Sequence, residues 1–303
     1  MQPATSTGYL HASYAASLSE WGTPRPLARA AAWALERAIP GTDRLDAAGC
    51  YPLMACGHWD SLLDDLQTSG KTWVTFTAVP DPLGAPGEAE LRRIFRDHIR
   101  RFKTHYVAEL EGWTGPTRAG HRTMVRAAAR RLETDVAPAR AELLDQWSQL
   151  YAALAARHTI QGLRAFSRAS FAALFAVPGM HVARAVSGNE TVAMSLWATH
   201  GEYGYYHLSA SSARGYELSA TYAMVDSAIR YLRGIGLTFL DLGGGAGVTE
   251  QDADGLGDFK RGWATAERTA WLCGRILDPQ AYRLLAAGRP NEYFPAYRAG
   301  EFS

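Results

Sequence analysis

The chain has 303 residues, 47% of them hydrophobic and 20% charged, with a formal net charge of +1. That length suits one large domain or two ordinary ones around a real core, and the near-neutral charge excludes a global field that demands nucleic acid or membrane. Cys50, Cys56 and Cys273 are too few and too scattered for a disulfide framework or a zinc site. Met1 to Ala16 lacks the charged start and apolar run of a signal peptide. No stretch approaches the ~18 apolar residues of a membrane span, so a reducing, cytoplasmic setting is expected.

The first third mixes short pieces. Alanine-rich Leu27 to Ala38 and the run Trp59 to Leu66 are predicted helices, and Thr72 to Val79 is a predicted strand. Pro80, Pro82, Gly84, Pro86 and Gly87 punctuate a loop. Leu91, Ile94, Phe95 and Ile99 then make Glu88 to Arg101 an amphipathic helix. Gly112, Gly115 and Pro116 mark the expected domain boundary, dividing the chain into 1–115 and 116–303. Helices follow at Gly120 to Glu133 and Pro138 to His158. Met180 to Val186, Val192 to Ala198 and Tyr203 to Ala210, joined by polar turns, read as a three-stranded antiparallel meander. A helix from Leu218 to Leu232, ended by Gly234 and Gly236, leads into a strand from Leu237 to Leu242. Ala270 to Ile276 is a last strand and Pro279 to Ala287 a closing helix.

Two places carry charge in a pattern. Arg92, Arg93, Arg96, Arg100, Arg101 and Lys103 lie close together, and Arg118, Arg122, Arg126 and Arg130, four apart, share one helix face. Such a stripe is either a solvated face or an anion-binding one.

The most informative segment runs from residue 240 to 263. An apolar strand enters Asp241-Leu242-Gly243-Gly244-Gly245-Ala246-Gly247, where the backbone can approach a ligand without a Cβ in the way. After Asp254 come Phe259-Lys260-Arg261-Gly262-Trp263, a lysine between large apolar neighbours and so a fixed cation for an anionic or carbonyl group. Asp97, Phe102, Lys103 and Tyr106 repeat the spacing of Asp254, Phe259, Lys260 and Trp263, which suggests a duplication. The first copy has Pro80-Asp81-Pro82 in place of the glycines, so it is the degenerate half.

The glycine run resembles the first motif of S-adenosylmethionine-dependent methyltransferases, but too little chain follows for the rest of such a sheet. Meander, helix, strand, loop, strand is instead the order of the GNAT acyltransferase fold. The GNAT turn that holds the CoA pyrophosphate corresponds to Arg214-Gly215-Tyr216-Glu217-Leu218-Ser219. There Glu217 puts a carboxylate where phosphate belongs.

Tyr206-His207-Leu208-Ser209-Ala210, the following helix, Leu240 to Gly245 and Phe259 to Trp263, with Lys103-Thr104-His105-Tyr106 upstream, resemble the FemABX group. The resemblance implies an α+β fold of tandem GNAT-like domains, each a mixed, mostly antiparallel sheet flanked by helices. It implies an aminoacyltransferase that takes an aminoacyl group from charged tRNA to an amine, with no cofactor and no metal. The chain is short and lacks the family's helical hairpin arm, which opens a small-molecule or peptide acceptor beside a cell-envelope precursor. On this resemblance Lys260 supports the tetrahedral intermediate and Phe259 shapes the aminoacyl pocket. Asp241, Asp254 and His207 are candidate acceptors of the amine proton, each with a structural alternative as a cap or a core histidine. Ser209, Tyr222, Gly243, Gly244, Gly245, Arg261 and Trp263 complete the expected substrate-binding set, and Tyr205, Tyr206 and Tyr216 are further candidates for the cleft. An acyl-CoA-dependent N-acyltransferase acting on an amino sugar or amine is the alternative, and a non-catalytic ligand-binding protein a third.

Overall fold

The computed structural model describes residues 6–69, 72–160, 165–246, 255–289 and 292–301. In chain order these form α1 (Ala12–Ser17), β1 (Thr23–Leu27), β2 (Ala32–Ala38), β3 (Leu45–Gly49), α2 (Trp59–Ser69), β4 (Trp73–Ala78), α3 (Glu88–Ile94) and β5 (His98–Glu109). There follow α4 (Ala119–Ala129), β6 (Glu133–Pro138), α5 (Leu144–His158), α6 (Arg168–Phe175), β7 (Met180–Ser187), β8 (Glu190–His200) and β9 (Tyr203–Ser211). The chain closes with α7 (Ala213–Glu217), α8 (Ala220–Gly234), β10 (Phe239–Asp241), α9 (Gly255–Arg261), β11 (Ala266–Ile276) and α10 (Pro279–Ala286).

These elements build two compact units, and both are discontinuous in sequence. The first comprises Met1–Ser13 and Lys103–Arg268, the second Tyr14–Phe102 and Thr269–Ser303. The expected division at Gly115/Pro116 differs from this one, which cuts at Phe102/Lys103 within β5 and returns at Arg268/Thr269 within β11.

The first unit holds strands in the order β5-β10-β9-β8-β7-β6, the second β1-β2-β3-β4-β11. Each sheet is mixed and mostly antiparallel: β9/β10 and β3/β4 are its parallel pairs. Each parallel pair is joined by a crossover helix, α8 or α2. Apart from the short α7 between β9 and α8, the two sets β1-β2-β3-α2-β4-α3 and β7-β8-β9-α8-β10-α9 thus share one order. The strand after each set pairs within the other unit's sheet: β5 with β10 and β11 with β4.

The repeat is therefore topological, and the four-residue spacing did not locate it. Phe102 and Lys103 lie in strand β5, whereas Phe259 and Lys260 lie in helix α9, so they are not equivalent. The helix corresponding to α9 is α3.

Other elements also differ from expectation. Leu27 to Ala38 is not a helix but the end of β1, a turn with Ala31 at φ +48°, and β2. Buried Ala32 and Ala34 fit the close packing of a strand, where alanine's helix preference is overridden. The predicted Glu88 to Arg101 helix stops at Ile94, whose carbonyl accepts from Arg275 Nη1 at 2.5 Å, and His98 opens β5. The helix after Gly120 ends at Ala129 because Glu133–Pro138 pairs antiparallel with β7. Helices α6 and α7 were not expected.

In the first unit α8 buries Ala220, Ala223, Met224, Val225, Ala228, Ile229 and Leu232. That stripe, spaced three and four apart, packs with Trp197, Leu240, Leu242 and Trp263 in one core. At roughly 1.5–3 kcal/mol for each large apolar side chain buried, this contact holds β10 and the residues after it in place. Among the described residues no helix is long and apolar enough to cross a membrane.

Candidate active site

Strand β10 is short. It pairs β9 through Phe239↔Tyr203, Leu240↔Gly204 and Asp241↔Tyr205, and β5 through Phe239↔Glu109 to Asp241↔Val107. Beyond Asp241 the chain stays on β5: Leu242 N donates to Tyr106 O (2.8 Å) and Tyr106 N to Gly243 O (3.2 Å). Strand β9 meanwhile runs on to Ser211, bulged where Trp197↔Tyr206 gives way to Leu196↔Leu208. The two strands part at this point, beside the glycine run.

Lys260 enters here from α9 and is 8% exposed. Its ammonium donates to Gly244 O at 2.7 Å and lies 5.9 Å from the centre of the Tyr206 ring. A buried ammonium is tolerated only where carbonyls and ring faces replace water. Gly243 has φ +78°, and a Cβ there would stand 2.9 Å from the Lys260 nitrogen. Lys103 Nζ grips the same turn, donating to Gly245 O at 2.8 Å. At Gly244 a Cβ would stand 3.0 Å from Thr104 O. The glycines thus let the backbone sit against two lysines.

Asp241 is 2% exposed, and both carboxylate oxygens are engaged. Oδ1 accepts from Gly243 N at 2.7 Å, and Oδ2 lies 2.7 Å from His105 Nδ1. An ionised carboxylate only accepts, so Nδ1 is the proton-bearing nitrogen of that pair. Asp241 is therefore a turn-former and histidine partner.

The aromatic side of the site gathers around His121 of α4. Its ring lies 5.0 Å from Tyr222, 5.6 Å from Phe259 and 5.5 Å from Trp263, centre to centre. His121 Nε2 donates to Phe259 O at 2.8 Å, fixing the end of α9. Burial lowers its pKa below the ordinary histidine value, against that hydrogen bond. Gly262 must be glycine, because a Cβ there would stand 2.2 Å from His121 Nε2. Arg261 donates to the Tyr106 hydroxyl at 2.7 Å and to Asp258 Oδ1 at 2.6 Å.

Of the residues singled out in the sequence, Asp241, Gly243, Gly244, Gly245, Phe259, Lys260, Arg261, Trp263 and Tyr222 lie together around the turn and its aromatic neighbour. Ser209 touches this group through its hydrogen bond with Tyr206, whose hydroxyl pKa burial raises to about 12. His207 belongs elsewhere: Tyr9 Oη lies 3.0 Å from its Nδ1, Phe166 packs against it, and burial pushes its pKa down to about 3. Tyr205 is buried beside His200, and Tyr216 is exposed beneath Arg157. Gly247 and Asp254 lie outside the described residues. His105, His121 and Lys103 join the site without having been chosen from the sequence. His105 and Lys103 stood in a quoted segment, but nothing in the spacing of His121 announces its role.

The stretch corresponding to a CoA turn is folded otherwise. Arg214 to Glu217 lie in α7, N-capped by Ser212, which accepts from Gly215 N. Glu217 is exposed and accepts from Arg214 Nη1 at 2.9 Å. On α4, Arg118 pairs with Asp258 at 3.5 Å and Arg122 donates to Pro116 O at 2.9 Å, so part of the arginine stripe serves local structure.

The family described as Acetyltransferase (GNAT) domain matches residues 119–261. The structure of FemX superposes with a TM-score of 0.66 at 14% identity, covering 90% of this chain and 93% of that one. The chain has a FemX-like, GNAT-like fold. This GNAT-like fold also matches the C-terminal domain of a putative lysylphosphatidylglycerol synthetase from Agrobacterium fabrum, with a TM-score of 0.61, 15% identity and 89% of each chain covered. L-PGS from Bacillus licheniformis superposes with a TM-score of 0.59 at 14% identity, covering 92% and 95%. No curated protein sequence matches the chain.

Proposed function

We propose that this FemX-like protein is an aminoacyltransferase. It moves an aminoacyl group from charged tRNA to the amine of a small molecule, peptide or cell-envelope precursor, forming an amide. The observation that carries the reading is Lys260, a buried ammonium held on Gly244 O where β9 and β10 part. An aminoacyl ester is already activated, so the fold need only orient two substrates and stabilise the charge that forms. The acceptor nitrogen attacks the ester carbonyl carbon, and the carbonyl electron pair moves to oxygen beside Lys260. Collapse expels the ribose oxygen. The partly buried Phe259 and Tyr222 form the apolar side for the aminoacyl group, with Trp263 packed behind them.

The stretch that corresponds to a CoA turn supports the same choice of donor, since it is folded as helix α7 with Glu217 held by Arg214. The GNAT match over residues 119–261 favours the second reading, an acyl-CoA-dependent N-acyltransferase. A screen of purified protein against radiolabelled aminoacyl-tRNAs and acyl-CoAs, scored by product mass, separates the two. Turnover of an aminoacyl-tRNA is expected; turnover of acyl-CoA alone would replace this reading with the second.

A further inference from the structure

Amide formation leaves a proton on the attacking nitrogen, and the three acceptors suggested by the sequence do not supply a described base. Asp241 has both oxygens engaged, His207 is packed against Tyr9 and Phe166, and Asp254 lies outside the described residues. His105 is different. Leu240 and Leu242 enter the α8 core, so Asp241 between them points to the other face of the sheet. Tyr106 and Ala108 enter the same core, so His105 shares the face of Asp241. The Asp241 contact occupies Nδ1, leaving Nε2 as the ring's acceptor, and the side chain keeps 10% of its exposure.

The pair also stands at the right place. Asp241 Oδ1 binds Gly243 N, and Lys260 Nζ binds the carbonyl of the next residue, Gly244. Carboxylate-histidine and ammonium therefore flank one Gly-Gly step, the first from the Asp241 face of the sheet and the second from α9 on the α8 side.

We propose that His105, oriented by Asp241, is the base that takes the proton of the attacking amine. This rests on the aminoacyl-transfer reading for its donor, but any amine acylated at this site must lose the same proton. The nitrogen forms its bond to the carbonyl carbon, the carbonyl pair moves to oxygen beside Lys260, and the N–H proton passes to His105 Nε2. When the C–O bond breaks, His105 returns the proton to the departing ribose oxygen and is regenerated. Asp241 is a positioning residue that holds the tautomer.

The test uses the full chain with the donor and amine pair that the screen identifies. His105→Asn keeps a side-chain donor for Asp241 but removes Nε2. Its turnover should fall by about 100-fold or more, the usual contribution of a general base, with donor KM within about twofold. In His105→Ala, added imidazole should restore part of the lost turnover, which a purely structural role would not allow. In 15N-histidine spectra Asp241→Asn should abolish the fixed Nδ1–H signature of His105. If His105→Asn keeps turnover within about threefold, or its loss in His105→Ala resists imidazole, His105 is not the base. If either variant fails to fold, the other decides. Should the screen return acyl-CoA, the donor reading falls while the same variants, run with that donor, still test the base.

Discussion

After β4 the chain reads Val79-Pro80-Asp81-Pro82; after β10, in the corresponding place, it reads Leu242-Gly243-Gly244-Gly245. In the second unit the neighbouring segment stays paired: Met54 N donates to Val79 O (2.8 Å) and Asp81 N to Met54 O (3.0 Å). Asp81 is 1% exposed and ties its own turn, accepting from Leu83 N and Gly84 N. The helix that follows, α3, offers buried Leu91 and Ile94, with Phe95 next to it. In the first unit the neighbouring strand departs, the turn is glycine, and the helix offers Lys260. One order of elements thus yields a sealed end and a polar end. We propose that the second unit, whose segment beside this turn stays paired and whose helix turns Leu91 and Ile94 inward, is the degenerate, supporting half.

If the second unit is scaffold, its polar centre should cost stability when broken. Asp46, 1% exposed, accepts from Arg298 Nε at 2.6 Å and from Nη2 at 2.8 Å, and Tyr297 donates to it at 3.2 Å. Burial opposes the Arg298 charge, and Asp46 overrides that to raise the guanidinium pKa. Arg298→Met removes both guanidinium hydrogen bonds from the buried carboxylate, leaving it Arg37 Nε at 3.5 Å and the Tyr297 hydroxyl, and should lower unfolding free energy by about 3 kcal/mol. Equilibrium denaturation checks this, and a loss under ~1 kcal/mol would remove the pair from the scaffold's account.

The first unit should be sensitive at Gly262. Gly262→Ala drives a Cβ into the His121 ring. We expect a loss of about 2–3 kcal/mol, or displacement of His121 with loss of transfer. A Gly262→Ala protein of unchanged stability and activity would show that the His121 cluster yields freely.

Acid should act through the packed histidine of the first unit. The folded pKa of His207 is about 3, pushed below its ordinary 6.5 by burial, so the unfolded chain takes up the proton first. The stabilisation is complete above pH 6.5 and is lost as pH falls toward 3, by about 2 kcal/mol at pH 5. His200, lowered to about 4, adds in the same direction. Denaturation of His207→Asn at pH 7 and pH 5 should show a shallower acid loss than the parent, and an equal slope would contradict the assignment.

The smallest stability effect is expected at the glycine turn. Gly243→Ala strains a φ of +78° and crowds the Lys260 ammonium. It should cost about 1 kcal/mol of stability and about tenfold or more in turnover. Loss of stability without loss of turnover would separate the turn from the chemistry.

The meander, α8 and β10 were legible because their periodicities are strong and their ends carry glycine turns. The hairpin at Leu27 to Ala38 was not, since its alanines fit either state and pairing decided the matter. The discontinuous units were equally hidden, because the exchange of β5 and β11 leaves no mark in local composition. At the site the glycines and Phe259-Lys260 stood out by residue type. His105 and His121 did not, because a histidine's role depends on what distant chain brings to it: Asp241 is 136 residues from His105. Glu217 was read as facing a phosphate, whereas α7 turns it toward Arg214 and solvent.

Lys260→Met offers the most direct test of the central claim, that the polar end of the first unit is a transfer site. Methionine fills the same volume without charge, so folding and donor KM should stay close to the parent while turnover of the aminoacyl-tRNA pair falls about 100-fold or more. Lys260→Arg should recover only part, since a planar guanidinium cannot place its charge where the compact ammonium sits. A folded Lys260→Met protein that turns over within about twofold of the parent would contradict the account.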